Sequence, residues 1–486
     1  MLGLSGKKQC AGFIHDNAGS IYSHFVLLCY YTIVATIDPN KIRLVAPAAP
    51  IEITVSDEPI RVPFLGFGGE DDGWAYTKGN RSHGWGEREL ALREERIRFL
   101  NPSFVRTFIW IGEWVPDGYF NSDTQQVFRW DTDLMQSKYK TLELYKELGT
   151  PINITCVEWD MPRFGSLWEH KEKALEAYAT LMEHLVKTKG FTNIKYFTFS
   201  NEPNNSFCTE GGNFELYAWF CKNLHREFSE RGLDIEVVVG DDADSFKWFN
   251  QCVETKDVYD VCGVFASHQY LKFPKWNRST QTDFLKSRTE LLDSMPSRKP
   301  LLITEFGFHS EEWSNMGNPY MKEYGYAVQL MDYALEGFNL GVSGFNVWTL
   351  HEVYYPPYFI TDRPVHHRNE VMQYGLWNYH DDTLRPVYYA TSLFTRNTEK
   401  GAPVYPCVSS AEKIVRATVI GNELFFVNKA SNSAKIKING RRVGDGNVFT
   451  QTTVDAQQLT DGDSLKKGWF STFVLPPKSF GRIPLK

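Results

Sequence analysis

Between about residues 64 and 397, short apolar runs alternate with longer segments in which apolar residues recur every three or four positions. Short apolar runs are typical of buried strands, and the longer periodicity is typical of amphipathic helices. The short runs predict strands at 64–68, 104–111, 151–157, 194–200, 235–240, 264–267, 301–304 and 344–347. The periodic segments predict helices at 87–100, 131–148, 170–189, 214–231, 246–254, 282–294, 324–337 and 387–395.

The alternation of strand and helix repeats eight times along this segment. That repetition predicts an α/β fold of the (β/α)8 TIM barrel type over residues 64–397. An open doubly wound sheet is the alternative. We favour the barrel because eight units are present and because no glycine-rich phosphate loop follows the first predicted strand.

The pattern changes after about residue 398. Short alternating runs at 414–420, 423–427, 435–438 and 470–475 are separated by Gly, Asn, Asp and Ser. Such runs predict a small C-terminal antiparallel β-sandwich over residues 398–486. The segment 41–63 also alternates, so it is a candidate strand of the same sheet.

The N-terminal segment carries Lys7 and Lys8 ahead of an apolar run at 25–37. This run is too short to span a membrane comfortably, but it has the length of the apolar region of a signal sequence. The small residues at 46–48 could form a cleavage site, although charged residues lie between them and the run. Residues 1–40 are therefore a possible signal or poorly ordered segment, and secretion is favoured over a cytoplasmic location.

The amino-acid composition limits which kinds of partner, metal and cofactor are expected. The chain of 486 residues has a net charge of −7, so no basic surface is predicted and nucleic acid is not expected as a partner. Aromatic residues make up 15% of the chain, which suits stacking against sugars but also the core of a large barrel. The eight cysteines contain no CxxC pair, so no zinc site is expected, and the chemistry below requires no cofactor or metal. No membrane span is expected after the first forty residues.

Two glutamates stand where predicted strands end. Glu202 follows the fourth strand within Asn201-Glu202-Pro203, and Glu305 ends the seventh strand. Active sites of TIM barrels lie at the carboxyl ends of the strands, so these carboxyl groups are expected to meet. Two carboxyl groups in one place are what cleavage of a glycosidic bond requires. A single glutamate at the end of a strand is usually a salt-bridged or solvated residue, so the prediction of a glycosidase site depends on the residues around the two.

Other polar and aromatic residues fall at neighbouring strand ends. Arg106 lies on the second predicted strand, and a buried arginine is costly unless a carboxylate pairs with it. His268 and Tyr270 close the sixth strand, where the tyrosine hydroxyl could donate to Glu305. Trp348 closes the eighth strand and could form the floor of a sugar site.

This arrangement resembles the retaining glycoside hydrolases of clan A. The resemblance covers residues 60–397 and implies that Glu202 is the acid/base and Glu305 the nucleophile. It further implies that Arg106 and Tyr270 keep Glu305 ionised, and that Asn201 and Trp348 contact the sugar. The family is not resolved, because the chain is similar to families 5, 30, 39 and 79. One departure concerns the end of the third strand, where many family 5 members have a histidine and this chain reads Val157-Glu158-Trp159-Asp160.

The expected function is hydrolysis of a β-type glycosidic bond by double displacement. A carbohydrate-binding barrel without catalysis and a transglycosylase with the same residues are the alternatives. Further residues on strand-end loops could bind sugar, with simple packing an equal possibility: Glu70, Asp71, Asp72, Trp74, Trp110, Glu113, Trp114, Glu158, Trp159 and His309. The sugar, its linkage, exo or endo action and the oligomeric state are left open.

Overall fold

A computed structural model describes residues 43–122, 127–157, 166–205, 209–272, 278–314, 317–354, 371–468 and 471–486. The predicted signal segment at 1–40 lies outside these residues. In the part of the chain that is described, no helix is both long and apolar enough to cross a membrane.

Eight parallel strands close into a barrel, which confirms the predicted (β/α)8 fold. Strands are numbered in chain order, and β1 (Ile51–Val55) belongs to a second sheet. The barrel strands are β2 (Gly66–Glu70), β3 (Phe104–Trp110), β4 (Ile152–Val157), β5 (Ile194–Thr198), β6 (Glu236–Ala243), β7 (Cys262–Lys272), β8 (Leu301–His309) and β9 (Gly344–Val347). The predicted fourth and seventh strands are therefore β5 and β8.

Helices follow the strands and surround the barrel. Several begin at a side chain that accepts a hydrogen bond from a free backbone N–H group, as Thr132, Asn213 and Ser245 do. The helices are α1 (Lys78–Ser82), α2 (Glu87–Leu100), α3 (Asp133–Glu147), α4 (Lys171–Glu183), α5 (Thr209–Gly212), α6 (Phe214–Glu230), α7 (Phe246–Glu254), α8 (Lys256–Val261), α9 (Arg278–Asp293), α10 (Tyr324–Leu340), α11 (Pro386–Asn397) and α12 (Gln451–Asp455).

Two barrel strands are longer than predicted. β7 and β8 were expected to end near Ser267 and Thr304, but their ladder continues to the pair Lys272 and His309. The extension places both Tyr270 and Glu305 inside paired strands rather than on loops. The two residues are therefore held by backbone hydrogen bonds as well as by their side chains.

The barrel interior is filled on one side of the candidate site by apolar side chains. Phe104 lies two residues before Arg106 on β3, so both side chains point to the same face of the strand. Phe104 belongs to a buried cluster that is separate from the main core: Leu65, Phe104, Tyr196, Val238, Val264, Ala266 and Leu302. This layer closes the barrel beneath the polar residues and excludes water from them.

The second sheet has nine strands in the order β15-β14-β17-β12-β11-β10-β1-β13-β16. Its C-terminal members are β10 (Val404–Ser409), β11 (Val415–Ile420), β12 (Glu423–Asn428), β13 (Ala434–Asn439), β14 (Gly446–Phe449), β15 (Asp463–Leu465), β16 (Thr472–Leu475) and β17 (Ser479–Pro484). All pairs are antiparallel except β1 with β13, so the sheet is mixed. β1, from the chain segment that precedes the barrel, lies between β10 and β13 and is antiparallel to β10 and parallel to β13.

Candidate active site

The carboxyl ends of the barrel strands bring the predicted residues together. Arg106 comes from β3, Glu202 follows β5, Tyr270 comes from β7 and Glu305 from β8. Parallel strands end at the same rim of a barrel, which is why residues so distant in sequence become neighbours.

Arg106 is the centre of the site. Its side chain is fully buried, and all five of its N–H groups donate hydrogen bonds. Burial alone would lower the pKa of Arg106, but Asp241, Glu70 and Glu305 raise it well above its usual value. The bonds run from Nε to Thr155 Oγ1 (3.1 Å), from Nη1 to Glu70 Oε2 (2.9 Å) and Glu305 Oε1 (2.5 Å), and from Nη2 to Asn201 Oδ1 (2.6 Å) and Asp241 Oδ2 (2.7 Å).

Glu305 is held at both carboxyl oxygens. Oε1 accepts from Arg106, and Oε2 accepts from the Tyr270 hydroxyl at 2.8 Å. Burial and the charge of Glu305 raise the pKa of Tyr270 well above its ordinary value, so this phenol keeps its proton and donates. The contact that the sequence suggested between Tyr270 and Glu305 is thus present.

Glu202 lies in a different environment. His268 Nδ1 lies 3.1 Å from its Oε1, and Asn205 Nδ2 donates to its Oε2 at 2.6 Å. Its side chain is 20% exposed, against 7% for Glu305. The backbone φ of +51° is in the left-handed region that non-glycine residues rarely adopt. Its backbone N–H donates to Asp241 O at 3.1 Å, which helps to hold that conformation.

His268 bridges three carboxyl groups. Its Nε2 lies 3.1 Å from Asp241 Oδ1, and its Nδ1 lies 3.7 Å from Glu305 Oε2 as well as close to Glu202. Burial alone would lower the pKa of His268, but the charges of Glu305 and Asp241 raise it well above its usual value. The ring is therefore an imidazolium that donates through both nitrogens.

Register shifts in two neighbouring ladders place polar residues in the site. On β6, Asp241 is the extra residue between the pairs Gly240–Ala266 and Asp242–Ser267. On β8, Thr304 is the extra residue between Ile303 and Glu305, and its hydroxyl donates to Asp241 Oδ1 at 2.6 Å. Such bulges let consecutive residues face the same side of a sheet and are common beside active sites.

One oxygen of Glu202, one oxygen of Glu305 and a nitrogen of His268 all lie within 4.8 Å of one another. A contact this close between two carboxyl oxygens is compatible with the carboxyl separation of about 5–5.5 Å that retaining glycosidases use. The three atoms are also near enough to ligate a metal ion. Ligation would require His268 to lose the proton that its carboxylate neighbours favour.

Aromatic rings line the site beside Glu305. Trp348 stacks on Tyr374 with ring centroids 5.0 Å apart. His309 lies 6.4 Å from Tyr374 and between Tyr270 at 4.7 Å and Trp313 at 4.3 Å. Burial lowers the pKa of His309 to about 3, so this imidazole is neutral.

Several other residues named as possible sugar contacts are buried. Trp110 lies in a buried cluster with Trp74, their ring centroids being 6.4 Å apart. Asp71 is buried and paired with Arg93 and His351. Glu158 and Trp159 lie outside the described residues. The remaining loop residues named from the sequence, except Glu70 and His309, are buried: Asp72, Glu113 and Trp114.

Sequence reasoning missed Asp241, Asn205 and Tyr374. Asp241 follows the fifth predicted strand, so the rule that singled out Glu202 and Glu305 could have found it. Asn205 lies three residues after Glu202 in the same loop, and no pattern in the sequence distinguishes it from its neighbours there. Tyr374 lies in an irregular segment that carries no periodic signal.

No protein-family model matches the chain, and no curated protein matches it significantly. Solved structures with the same fold do match. A glycoside hydrolase family 30 subfamily 8 xylanase from Clostridium acetobutylicum is 13% identical, with a TM-score of 0.57 over 90% of this chain and 99% of that one.

Two further structures have other specificities. A monomeric β-xylosidase from Caulobacter crescentus CB15 is 13% identical, with a TM-score of 0.57 over 90% of this chain and 99% of that one. The endo-β1,6-glucanase BT3312 is 17% identical, with a TM-score of 0.58 over 90% of this chain and 95% of that one. At such identities the likeness shows the shared barrel and β-domain, while function must be argued from the site.

Proposed function

We propose that this protein is a retaining glycoside hydrolase that cleaves a β-type glycosidic bond. The observation that carries the proposal is the pair Glu202 and Glu305, with one oxygen of each within 4.8 Å of the other. The two carboxyl groups are also unlike each other. Glu305 is fixed by a cation and a phenol, whereas Glu202 is more exposed and is fixed by His268 and an amide.

In the first step, Glu305 attacks the anomeric carbon and forms a bond to it as the bond to the leaving oxygen breaks. Glu202 gives its proton to that oxygen, so the aglycone leaves as a neutral alcohol. Arg106 and Tyr270 hold the attacking carboxylate in one orientation. In this proposal Trp348 stacks against the sugar.

In the second step, Glu202 accepts a proton from water as the water oxygen attacks the anomeric carbon. The bond to Glu305 breaks, and the carboxylate returns to Arg106 and Tyr270. Because two inversions occur at one carbon, the product keeps the configuration of the substrate. The residues in these roles belong to the chain, and no cofactor takes part.

The structural neighbours support a carbohydrate substrate but not one sugar. They include a xylanase, a β-xylosidase and an endo-β1,6-glucanase, which differ in both sugar and linkage. We infer a β-linked glycoside of a neutral sugar as the first substrate class to examine. Secretion, suggested by the N-terminal segment, is part of this proposal.

The experiment is turnover of a panel of aryl β-glycosides by the full chain, with glucoside, xyloside, galactoside, mannoside and glucuronide in parallel. At least one should be hydrolysed, and Glu202→Ala and Glu305→Gly should each lose that turnover. Glu312→Gln, on a strand-end loop beyond β8, is the control. Binding without any turnover would indicate a silent binding barrel, and a dominance of transfer products would indicate a transglycosylase.

A further inference from the structure

Carboxyl groups outnumber cations in the hydrogen-bond network around Arg106. A buried charge is costly unless an opposite charge accompanies it, so two buried cations can neutralise only two of the carboxyl groups. The network contains the carboxyl groups of Glu70, Glu202, Asp241 and Glu305, and the cations Arg106 and His268.

The hydrogen-bond donors are not shared equally among these groups. Asp241 accepts from Arg106, His268 and Thr304, and Glu305 accepts from Arg106 and Tyr270. In the proposed mechanism Glu202 carries the proton that it gives to the leaving group. Asp241 and Glu305 therefore take the two negative charges, which leaves Glu70 without a cation of its own.

Among the described residues, Glu70 has a single hydrogen-bond donor. Its Oε2 accepts from Arg106 Nη1 at 2.9 Å, while its Oε1 is buried and has no hydrogen-bond partner in the described part of the chain. The residue is fully buried at the end of β2. An ionised carboxylate would leave a bare, desolvated oxygen there, whereas a protonated acid carries a hydrogen on that oxygen and no charge.

We propose that Glu70 is a protonated, neutral carboxylic acid and a positioning residue for the nucleophile. Its carbonyl oxygen accepts one N–H of Arg106 Nη1, and this orients the other N–H of the same nitrogen toward Glu305. Because it is neutral, Glu70 does not compete with Glu305 for the charge of the guanidinium. The role of Glu305 and the proton assigned to Glu202 rest on the function proposed above, whereas the burial of Glu70 and the unpaired state of its Oε1 do not.

The surroundings of Glu70 agree with a neutral acid. Burial raises its pKa well above the ordinary value, and Arg106 opposes the rise only in part. The other charged groups that face it are Asp72, on the loop that follows β2, and Glu305 on β8. Both carry negative charge, so both raise the pKa further.

The first experiment measures the proton. Between the pKa of the unfolded chain, about 4.3, and the folded pKa of Glu70, the native state binds one more proton than the unfolded state. The unfolding constant of the wild type should therefore rise about tenfold per pH unit relative to Glu70→Gln between pH 5.5 and 7.5. Infrared difference spectra at pH 7 should show that Glu70→Gln removes a protonated-acid carbonyl band.

Asp332→Asn is the matched control, because Asp332 is a buried carboxylate whose pKa Lys429 and Arg416 hold below its ordinary value. Its stability relative to the wild type should not change over that pH range, and it should remove a carboxylate band. The proposal would be overturned if the ratio of the unfolding constants of the wild type and Glu70→Gln did not change with pH. It would also be overturned if Glu70→Gln removed a carboxylate band instead of a protonated-acid band. Neither readout depends on hydrolysis, so failure of the proposed function would be recognised separately.

The second experiment measures positioning. Glu70→Leu removes the acceptor from Arg106 Nη1, so kcat/KM should fall at least tenfold, mainly through kcat. Glu70→Gln keeps a neutral acceptor oxygen and should recover most of that loss. Equal kcat/KM values for the two variants would show that the acceptor does not position Arg106.

Discussion

Arg106 is completely buried, and all of its N–H donors are used. Its guanidinium serves three carboxyl groups, an amide and a hydroxyl, and it also lies over the Phe108 ring with Cζ 4.7 Å from the ring centroid. Removing a guanidinium from water costs several kcal/mol, and this many partners offset that cost. The residue therefore couples the stability of the barrel to the geometry of the nucleophile.

Replacing Arg106 should affect both stability and activity. Arg106→Ala leaves Asp241 and Glu305 buried without their cation, and the expected loss is about 3 kcal/mol or more. The loss is measured as the decrease in melting temperature and in kcat/KM of Arg106→Ala relative to the wild type. Arg226→Ala, on an exposed part of α6, is the control and should change neither quantity appreciably. Native melting temperature and native kcat/KM in Arg106→Ala would refute the pairing.

His268 should make stability depend on pH. Its folded pKa is raised above the usual 6.5, so its contribution is fully present below that value and is lost as pH rises through the folded pKa. The wild type should therefore lose its advantage in melting temperature over His268→Gln as pH rises above neutrality. His225→Gln, exposed on α6, is the control. An advantage that grows with pH would mean that the imidazole is neutral in the folded protein.

At the scale of single elements, β2 lies unusually close to β3. A Cβ atom on Gly68 would lie 1.7 Å from the carbonyl oxygen of Phe104, so only glycine fits between these strands. This close approach fixes the position of Glu70, two residues later, against Arg106. Gly68 therefore allows the close pairing of two barrel strands and also sets the position of Glu70 in the candidate site.

Gly68→Ala should separate β2 from β3 and move Glu70. Overpacking of this kind costs about 1–3 kcal/mol, and backbone contact places the expected loss at the upper end. Melting temperature and kcat/KM should both fall. Gly79→Ala is the matched control, because the atom nearest to its added methyl group lies 3.9 Å away. Equal stability of Gly68→Ala and Gly79→Ala would contradict the inference that β2 and β3 lie too close at Gly68 for any side chain.

The elements show why part of the site could be predicted from sequence and part could not. Glu202, Glu305, Arg106 and Tyr270 follow from the rule that barrel strands end at one rim, and the sequence marks where apolar runs stop. The bulges at Asp241 and Thr304 leave no such mark, because a strand with one extra residue has the same composition. β1 was recognised as a strand by alternation, but its parallel partner β13 depends on tertiary packing.

At the scale of the whole molecule, the β-domain rests on helices of the barrel. Asp332 on α10 is bonded to Arg416 at 2.7 Å and to Lys429 at 2.8 Å. The rings of Phe394 on α11 and Phe425 on β12 stack with centroids 5.0 Å apart. Because α10 is buried along most of its length, the domain completes the outer core of the barrel.

Truncation after Asn397 should therefore give an insoluble or strongly destabilised barrel. It removes the cover of α10 and α11 and takes both strand partners from β1. Solubility, melting temperature and turnover of the truncated chain, compared with the full chain, measure the effect. A soluble truncated barrel with full activity on small and polymeric substrates would make the domain a dispensable appendage.

The most direct measurement of the central claim is the anomeric configuration of the first product, followed by proton NMR on a β-glycoside that the protein hydrolyses. The short separation of Glu202 and Glu305 predicts that the β-anomer appears first and that the α-anomer forms later by mutarotation. Initial release of the α-anomer would mean a single displacement by water. That result would contradict the role of Glu305 as nucleophile.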